Sequence, residues 1–454
     1  MSRTAPSRFA FSPRSTAAAF LLALTIVLGA CSQSDSAAQP PQEPATSSVA
    51  PASPVESTST PEPPATDTTT TDVPTAVERA DLDGVGGDIA RRTESGAIVI
   101  SAPDGTNERE AASGDSTLNS QPTWSNSGDR LAWSSVSIDG AQLAIANVAE
   151  DSVTTITSEP QASPAFYLSW SDNDSWISGL RNGATGIELT FADAATTAVR
   201  VAGPGQPFFT DWLDDDQLIA AIGGTILTDV PAADENPAVR NIAERLGAFQ
   251  APIALPDGDV IVAVIRDNEN VVVRLNGNET APLATADGPV SMATNSDGTR
   301  LAIFVGGTGT QSQVINFQLE DVPTLATGRL SIVDLDTNEV ETRPEMRVAA
   351  MNWSPDGETL AVLRVDDTDL TWLFITEDSV VEGTPFVPSQ EFFSSYLPFA
   401  DQYERSTTWW SPDSTAMVFS GSVDGQAGVW VDRVDDNAPA RWIGDGDIAF
   451  WSPR

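Results

Sequence analysis

The sequence predicts an all-β fold, an eight-bladed β-propeller closed by strands from its own two ends. Three observations carry that expectation: one hairpin unit recurs along the chain, its spacing falls in the low forties, and the last residues supply a strand that the first repeat lacks. The unit is clearest at 349–365, where an apolar strand ends at Trp353, Ser354-Pro355-Asp356-Gly357 follows, and Leu360-Ala361-Val362-Leu363 begins a second strand. Pro and Gly set the turn angles and Asp bonds back to the backbone, so this is a hairpin signal with a mechanism. It recurs at Trp124, Trp170, Trp212 and Trp410, with the Trp replaced at Ala254 and Thr294, and it is cut short at Trp451-Ser452-Pro453-Arg454.

The steps between these positions are 46, 42, 42, 40, 59, 57 and 41 residues. Four short strands per unit at that period is the pattern of propeller blades. The repeated Trp-Ser-Pro-Asp-Gly core resembles the WD40-like, TolB-type (PD40) propeller repeat, over roughly residues 86–454. The resemblance implies the architecture; propellers serve many roles, so it implies no single activity. Ala97-Ile98-Val99-Ile100-Ser101 reads as a strand without a Trp unit before it, and Ile448-Ala449-Phe450-Trp451 as an inner strand with nothing after it. Joined, they give seven continuous blades and one composite.

Ahead of the ring, residues 1–30 read as a lipoprotein signal peptide. Arg3, Arg8 and Arg14 form a basic start, Ala17–Leu28 is an apolar run, and Leu28-Gly29-Ala30-Cys31 follows. That run is too short to span a bilayer as a helix. The tetrapeptide resembles the lipobox of bacterial lipoproteins, which implies cleavage before Cys31, its diacylation, and an extracytoplasmic protein held to the membrane through the lipid alone. Cys31 is the only cysteine, so it has no disulfide partner within the chain. Residues 31–80 are rich in Ser, Thr and Pro without apolar periodicity, and are expected to be a disordered tether. The propeller domain is expected to span 81–454.

Within the ring, Asn236-Pro237 followed by Val239, Ile242, Leu246 and Gly247 suggests a short helix in place of the outer strand of the third blade. The two long steps place insertions between Val305 and Leu330 and between Thr384 and Thr407, the latter between an outer strand and the next inner one. In a four-stranded meander both would emerge on the same face, and long loops on a rigid scaffold commonly carry function. The second insertion holds Phe386, Phe392, Phe393, Tyr396, Phe399 and Tyr403. Such a density of aromatics either plugs the scaffold or meets a partner. Phe392, Phe393, Tyr396 and Phe399 are the candidate partner-binding residues.

The chain carries 64 acidic and 23 basic residues, all of the latter Arg, with no Lys and no His. Its charge of −41 becomes −44 once Arg3, Arg8 and Arg14 leave with the signal. Such a field repels nucleic acid and anionic headgroups, so neither is expected as a direct partner. Without His, a Ser-His-Asp or Cys-His nucleophile and a His/Cys zinc site are excluded. Prolyl-oligopeptidase-like enzymes carry similar repeats but need a separate hydrolase domain with Gly-x-Ser-x-Gly, which this sequence lacks. Asp334-Leu335-Asp336-Thr337-Asn338 with Glu345 matches part of a calcium loop, yet Glu339 stands where the sharp-turn Gly belongs, so a blade turn is expected there. No cofactor and no catalytic or metal-binding residue is assigned. Two functions follow: a monomeric envelope module binding or scaffolding protein or glycan, or a hydrolase acting on carbohydrate or phosphate ester through carboxylates.

Overall fold

The computed structural model describes residues 80–454 except 151, 158–162, 206–207, 224–225, 234–236, 241, 243, 248–250, 307–326, 367–368 and 435–437. The stretches expected to be a signal peptide and a tether, Cys31 with them, and nearly all of the first insertion lie outside the described residues. Among those described, the strands form eight antiparallel sheets, one per blade. The first blade is typical: Leu118–Trp124, Arg130–Ser137, Gly140–Asn147 and Ser152–Thr157 pair in chain order. The eighth is composite, because Ile448–Trp451 pairs along its length with Ile89–Arg92, which continues to Ile98–Ser101 and Arg109–Ala112.

The recurring Trp-Ser turn has a local and a lateral purpose. Locally, the Ser hydroxyl accepts an N–H at or just before the start of the next strand: Arg130 N to Ser125 Oγ at 3.1 Å, Thr359 N to Ser354 Oγ at 2.9 Å, Ala416 N to Ser411 Oγ at 2.9 Å. Ser354 and Ser411 also donate to Asp356 and Asp413, both at 2.6 Å, so each buried hydroxyl is satisfied in both directions. Laterally, the indole ties blade to blade. Trp124, Trp170, Trp353 and Trp410 donate Nε1–H to the carbonyls of Phe450, Thr123, Ala293 and Asn352, at 3.1 to 3.4 Å. Each acceptor stands immediately before the register position of the preceding blade. At Ala254, which has no indole, the link is made the other way: its backbone N donates to Asp211 Oδ2 at 2.8 Å, again the residue before a register Trp.

Trp353→Phe tests this link, since it keeps an aromatic ring and removes the indole N–H from the Ala293 carbonyl. The expected loss is about 0.5–1.5 kcal/mol in urea unfolding. An unchanged midpoint would reduce the indole to a space filler.

Two expectations are corrected. The third blade ends in a strand, Ala238–Arg240, not a helix, and Arg245–Leu246 opens the fourth blade. The outer edge of Ile226–Pro231 offers backbone groups that Ala238–Arg240 pairs, and Arg240 reaches Asp229 at 2.7 Å, so sheet pairing overrides the local helical pattern. The second insertion does not precede the innermost strand of the seventh blade but interrupts it. Val387 and Pro388 already face Ser422 and Gly421, and the strand resumes where Trp410 faces Met417. Between those pairings the chain advances 22 residues while its partner recedes by four, so 18 residues are looped out. Pro388 is tolerated because the innermost strand is the edge of its sheet and needs no second row of donors.

Candidate functional site: a central channel filled by residues 389–408

The looped-out residues turn inward. After Ser389, which donates Oγ–H to Asp447 O, the chain makes one π-helical turn at Phe392–Tyr396, a 3-10 turn at Leu397–Phe399 and an α-helical turn at Ala400–Tyr403. Pro398, which has no N–H to give, falls where the helix type changes. Tyr403 O then accepts from Ser406 N and Thr407 N, at 3.0 and 2.9 Å, and the chain leaves.

This segment meets the innermost strand of blade after blade. Glu391 pairs with Arg92 of the eighth at 2.9 Å, and Tyr396 lies 5.2 Å from the ring of Phe450. Gln121 of the first donates Nε2–H to Tyr403 Oη at 2.9 Å. Tyr167 of the second packs edge-on against Phe399 and Tyr403, at 5.5 and 4.8 Å. Gln402 reads both sides of one residue of the third, accepting from Thr210 N at 2.7 Å and donating to Thr210 O at 2.9 Å. Phe399 also packs on the apolar cluster shared by the third and fourth blades. Arg405 donates to Met292 O of the fifth at 3.1 Å, while Asp401 accepts from Met292 N and the Ser291 hydroxyl. Ala400–Tyr403 also packs against Val348–Trp353 of the sixth.

Gln121 and Tyr167, at φ 57° and 53°, occupy the left-handed region in two strands whose registers shift at those points. Gln121 Oε1 accepts from Tyr167 N at 2.7 Å, so the two strained residues brace each other and the segment between them. Non-glycine residues there cost on the order of 1–3 kcal/mol, and persist only where the surroundings fix them.

The charged groups are grouped around one guanidinium. Arg405, 6% exposed, pairs with Glu404 and lies 4.0 Å from Asp211 Oδ2. Burial pushes Asp211 and Asp401 up to about 6 and Glu404 up to about 7, against the pull of Arg405 on all three.

Of the residues singled out in the sequence, Phe392 and Tyr396 are buried in the core, at 2% and 1% exposure, and Phe393 and Phe399 are half-buried. The Asp334 segment is the turn between the third and fourth strands of the fifth blade; its carboxylate accepts from Asp336 N, Thr337 N and the Thr337 hydroxyl, and is thereby held below the usual range. Among the described residues no group of His, Cys, Asp and Glu is placed to hold a metal ion, and no helix is long and apolar enough to cross a membrane. Sequence reading missed Gln121, Thr210, Asp211, Gln402 and Arg405. The one available signal was the charged run Asp401-Gln402-Tyr403-Glu404-Arg405 inside an aromatic insertion, a pattern that reads equally well as a solvated face.

No family model and no curated protein matches the chain. Solved structures do. Dihydro-heme d1 dehydrogenase NirN in complex with DHE is 12% identical with a TM-score of 0.53, covering 84% of this chain and 78% of that one. The C-terminal WD40 domain of Sif2 is 11% identical with a TM-score of 0.50, covering 77% and 93%. TolB from Acinetobacter baumannii is 14% identical with a TM-score of 0.37 and covers 65% of this chain, which spans 64% of the length of that one. At these identities the likeness reaches the fold alone, and the fold is an eight-bladed β-propeller.

Proposed function

We propose that this protein is a lipid-anchored, extracytoplasmic binding or scaffolding module of the cell envelope, with a protein or glycan as its partner. The observation that supports binding on the faces is the filling of the channel by the chain itself. The polar side chains of Gln402, Gln121 and Arg405 are engaged by neighbouring strands and have little left to offer a ligand threaded through the ring. Faces and loops remain, set on a scaffold rigid enough to hold them. The anchor rests on the lipobox-like Leu28–Cys31. In a pull-down from envelope extract, residues 81–454 are expected to retain a specific partner; recovery of nothing above a control propeller sinks the reading. Membrane fractionation tests the anchor separately: Cys31→Ser is expected to move the protein to the soluble fraction, and a variant that stays with the membrane while its signal is still removed overturns it.

A second reading, a carboxylate-based hydrolase acting on carbohydrate or phosphate ester, is favoured by one observation, the cluster of Asp211, Asp401 and Glu404 with raised proton affinities. Against it, Asp211 and Asp401 already accept backbone N–H groups and Glu404 is paired with Arg405, the roles of carboxylates that hold a plug in place.

A further inference from the structure

The filled channel carries a charge imbalance that nothing in the ring's architecture requires. Three carboxyl groups, from Asp211, Asp401 and Glu404, surround the single guanidinium of Arg405 in a part of the molecule where Glu404 is 7% and Asp211 14% exposed. Two of them also join the plug to the wall, and the third pairs with the guanidinium that does: Asp401 and Arg405 hold the two sides of Met292, Asp211 lies between Arg405 and the Ala254 amide, and Glu404 pairs with Arg405. A group that stabilises the plug only while the local charge is balanced makes plug retention a function of protonation.

We propose that residues 389–408 form a proton-set latch: with carboxyl protons retained the plug is held in the channel, and when Asp211, Asp401 and Glu404 ionise together their mutual repulsion loosens it and uncovers the aromatic surface of Tyr167, Phe399 and Tyr403. The proposal does not depend on what the faces of the propeller bind.

The fourth and seventh blades meet the plug and Asp211 through apolar side chains, Trp409 and the Ala254 amide, none of which titrates. From the third blade comes Asp211, with Asp172 of the neighbouring turn adding like charge. The fifth blade presents Ser291 and the Met292 peptide, and the first Gln121, none of which titrates. Tyr167 of the second blade and Tyr396 and Tyr403 of the plug carry phenols; burial pushes both plug phenols well above their ordinary value, so they stay neutral through the range concerned. The strand that the sixth blade turns to the plug, Val348–Trp353, holds no titratable side chain. At the other end, Arg92 of the eighth blade is shared by Glu391 and Asp447, a second site with more acid than base.

The sign follows from linkage. A carboxyl that binds its proton more tightly in the folded channel than in the unfolded chain contributes stability that is complete below its ordinary pKa. That contribution is lost as pH rises through the folded values, here about 6 to about 7. Retention of the plug is therefore strongest in mild acid and weakens above neutrality.

Amide hydrogen exchange on the intact protein, corrected for intrinsic rates, reads this directly. Between about pH 5 and about pH 8, protection of peptides covering 396–408 is expected to fall at least ~10-fold, while that of Gln426–Arg433 in the same ring stays within ~3-fold. The double variant Asp401→Asn, Glu404→Gln keeps the shape and removes two of the charges, and its plug protection is expected to be flat across the same range. Constant protection in the parent overturns the latch, as does a parallel fall in Gln426–Arg433, which would mean the whole ring responds. A double variant with the parent's pH profile overturns the assignment to these carboxyls; should it not fold, the two peptide sets in the parent still decide.

Discussion

Removal of residues 447–454 is expected to cost the protein its cooperative fold rather than a few degrees of melting temperature. Ile448, Ala449, Phe450 and Trp451 are each no more than 1% exposed and pair in register with Ile89–Arg92. At about 1.5–3 kcal/mol for each large apolar side chain, the direct loss is on the order of 6–8 kcal/mol, comparable with the whole stability of a typical domain. The deletion reaches further. Trp124 loses the Phe450 carbonyl, Arg92 loses Asp447, and Gly86 O loses the Trp451 indole. Tyr396 and Trp409 lose the ring of Phe450 beside them. Two sheet edges open where the ring was closed, and exposed edges aggregate. The truncated chain is expected to be insoluble or to lack a cooperative thermal transition. A soluble truncated protein melting within ~2 °C of the parent would show that closure by the terminal strand is dispensable.

The parts of this fold that could be read in advance are those whose physics is local. Ser354 satisfies its own hairpin within five residues, and the same bonds recur at Ser125 and Ser411, so the turn leaves a mark at each repeat. Composite closure was legible too, because Ile448–Trp451 and Ile98–Ser101 are strands that make sense only as halves of one sheet. What holds the plug was not legible. Gln402 bonds a backbone 192 positions away, and Gln121 meets Tyr403 across 282, with side-chain amides that no periodicity announces. The misplaced insertion has a similar cause. Val387-Pro388 reads as loop because Pro weakens a strand signal, and only the partners at Ser422 and Gly421 reveal it as strand. Residues 238–246 failed differently: a helical pattern was present, and a neighbouring sheet edge took the backbone instead.

The aromatic insertion yields the second large effect, and it separates residues that the sequence grouped together. Phe392→Ala is expected to destabilise the protein by about 3–5 kcal/mol, the range for truncating a fully buried aromatic. Its ring is 2% exposed, stands edge-on to Trp409 at 5.8 Å, and belongs to the cluster that joins the seventh and eighth blades. Phe393, only partly buried on the same turn, is expected to cost less when truncated, since part of its surface already meets water. Tyr396→Phe supplies the control. Tyr396 Oη has no hydrogen-bond partner among the described residues, so losing the hydroxyl while keeping the ring is expected to be neutral or slightly stabilising. Denaturant unfolding of the three variants measures the ranking, and pull-down with the parent's partner measures the rest. If 389–408 is a plug and nothing more, Phe393→Ala binds as the parent does; if its half-buried aromatics form a contact surface, Phe393→Ala and Phe399→Ala keep most of their stability and lose the partner. A Phe392→Ala protein as stable as the parent would mean that the channel does not depend on the segment that fills it, and would remove the plug role.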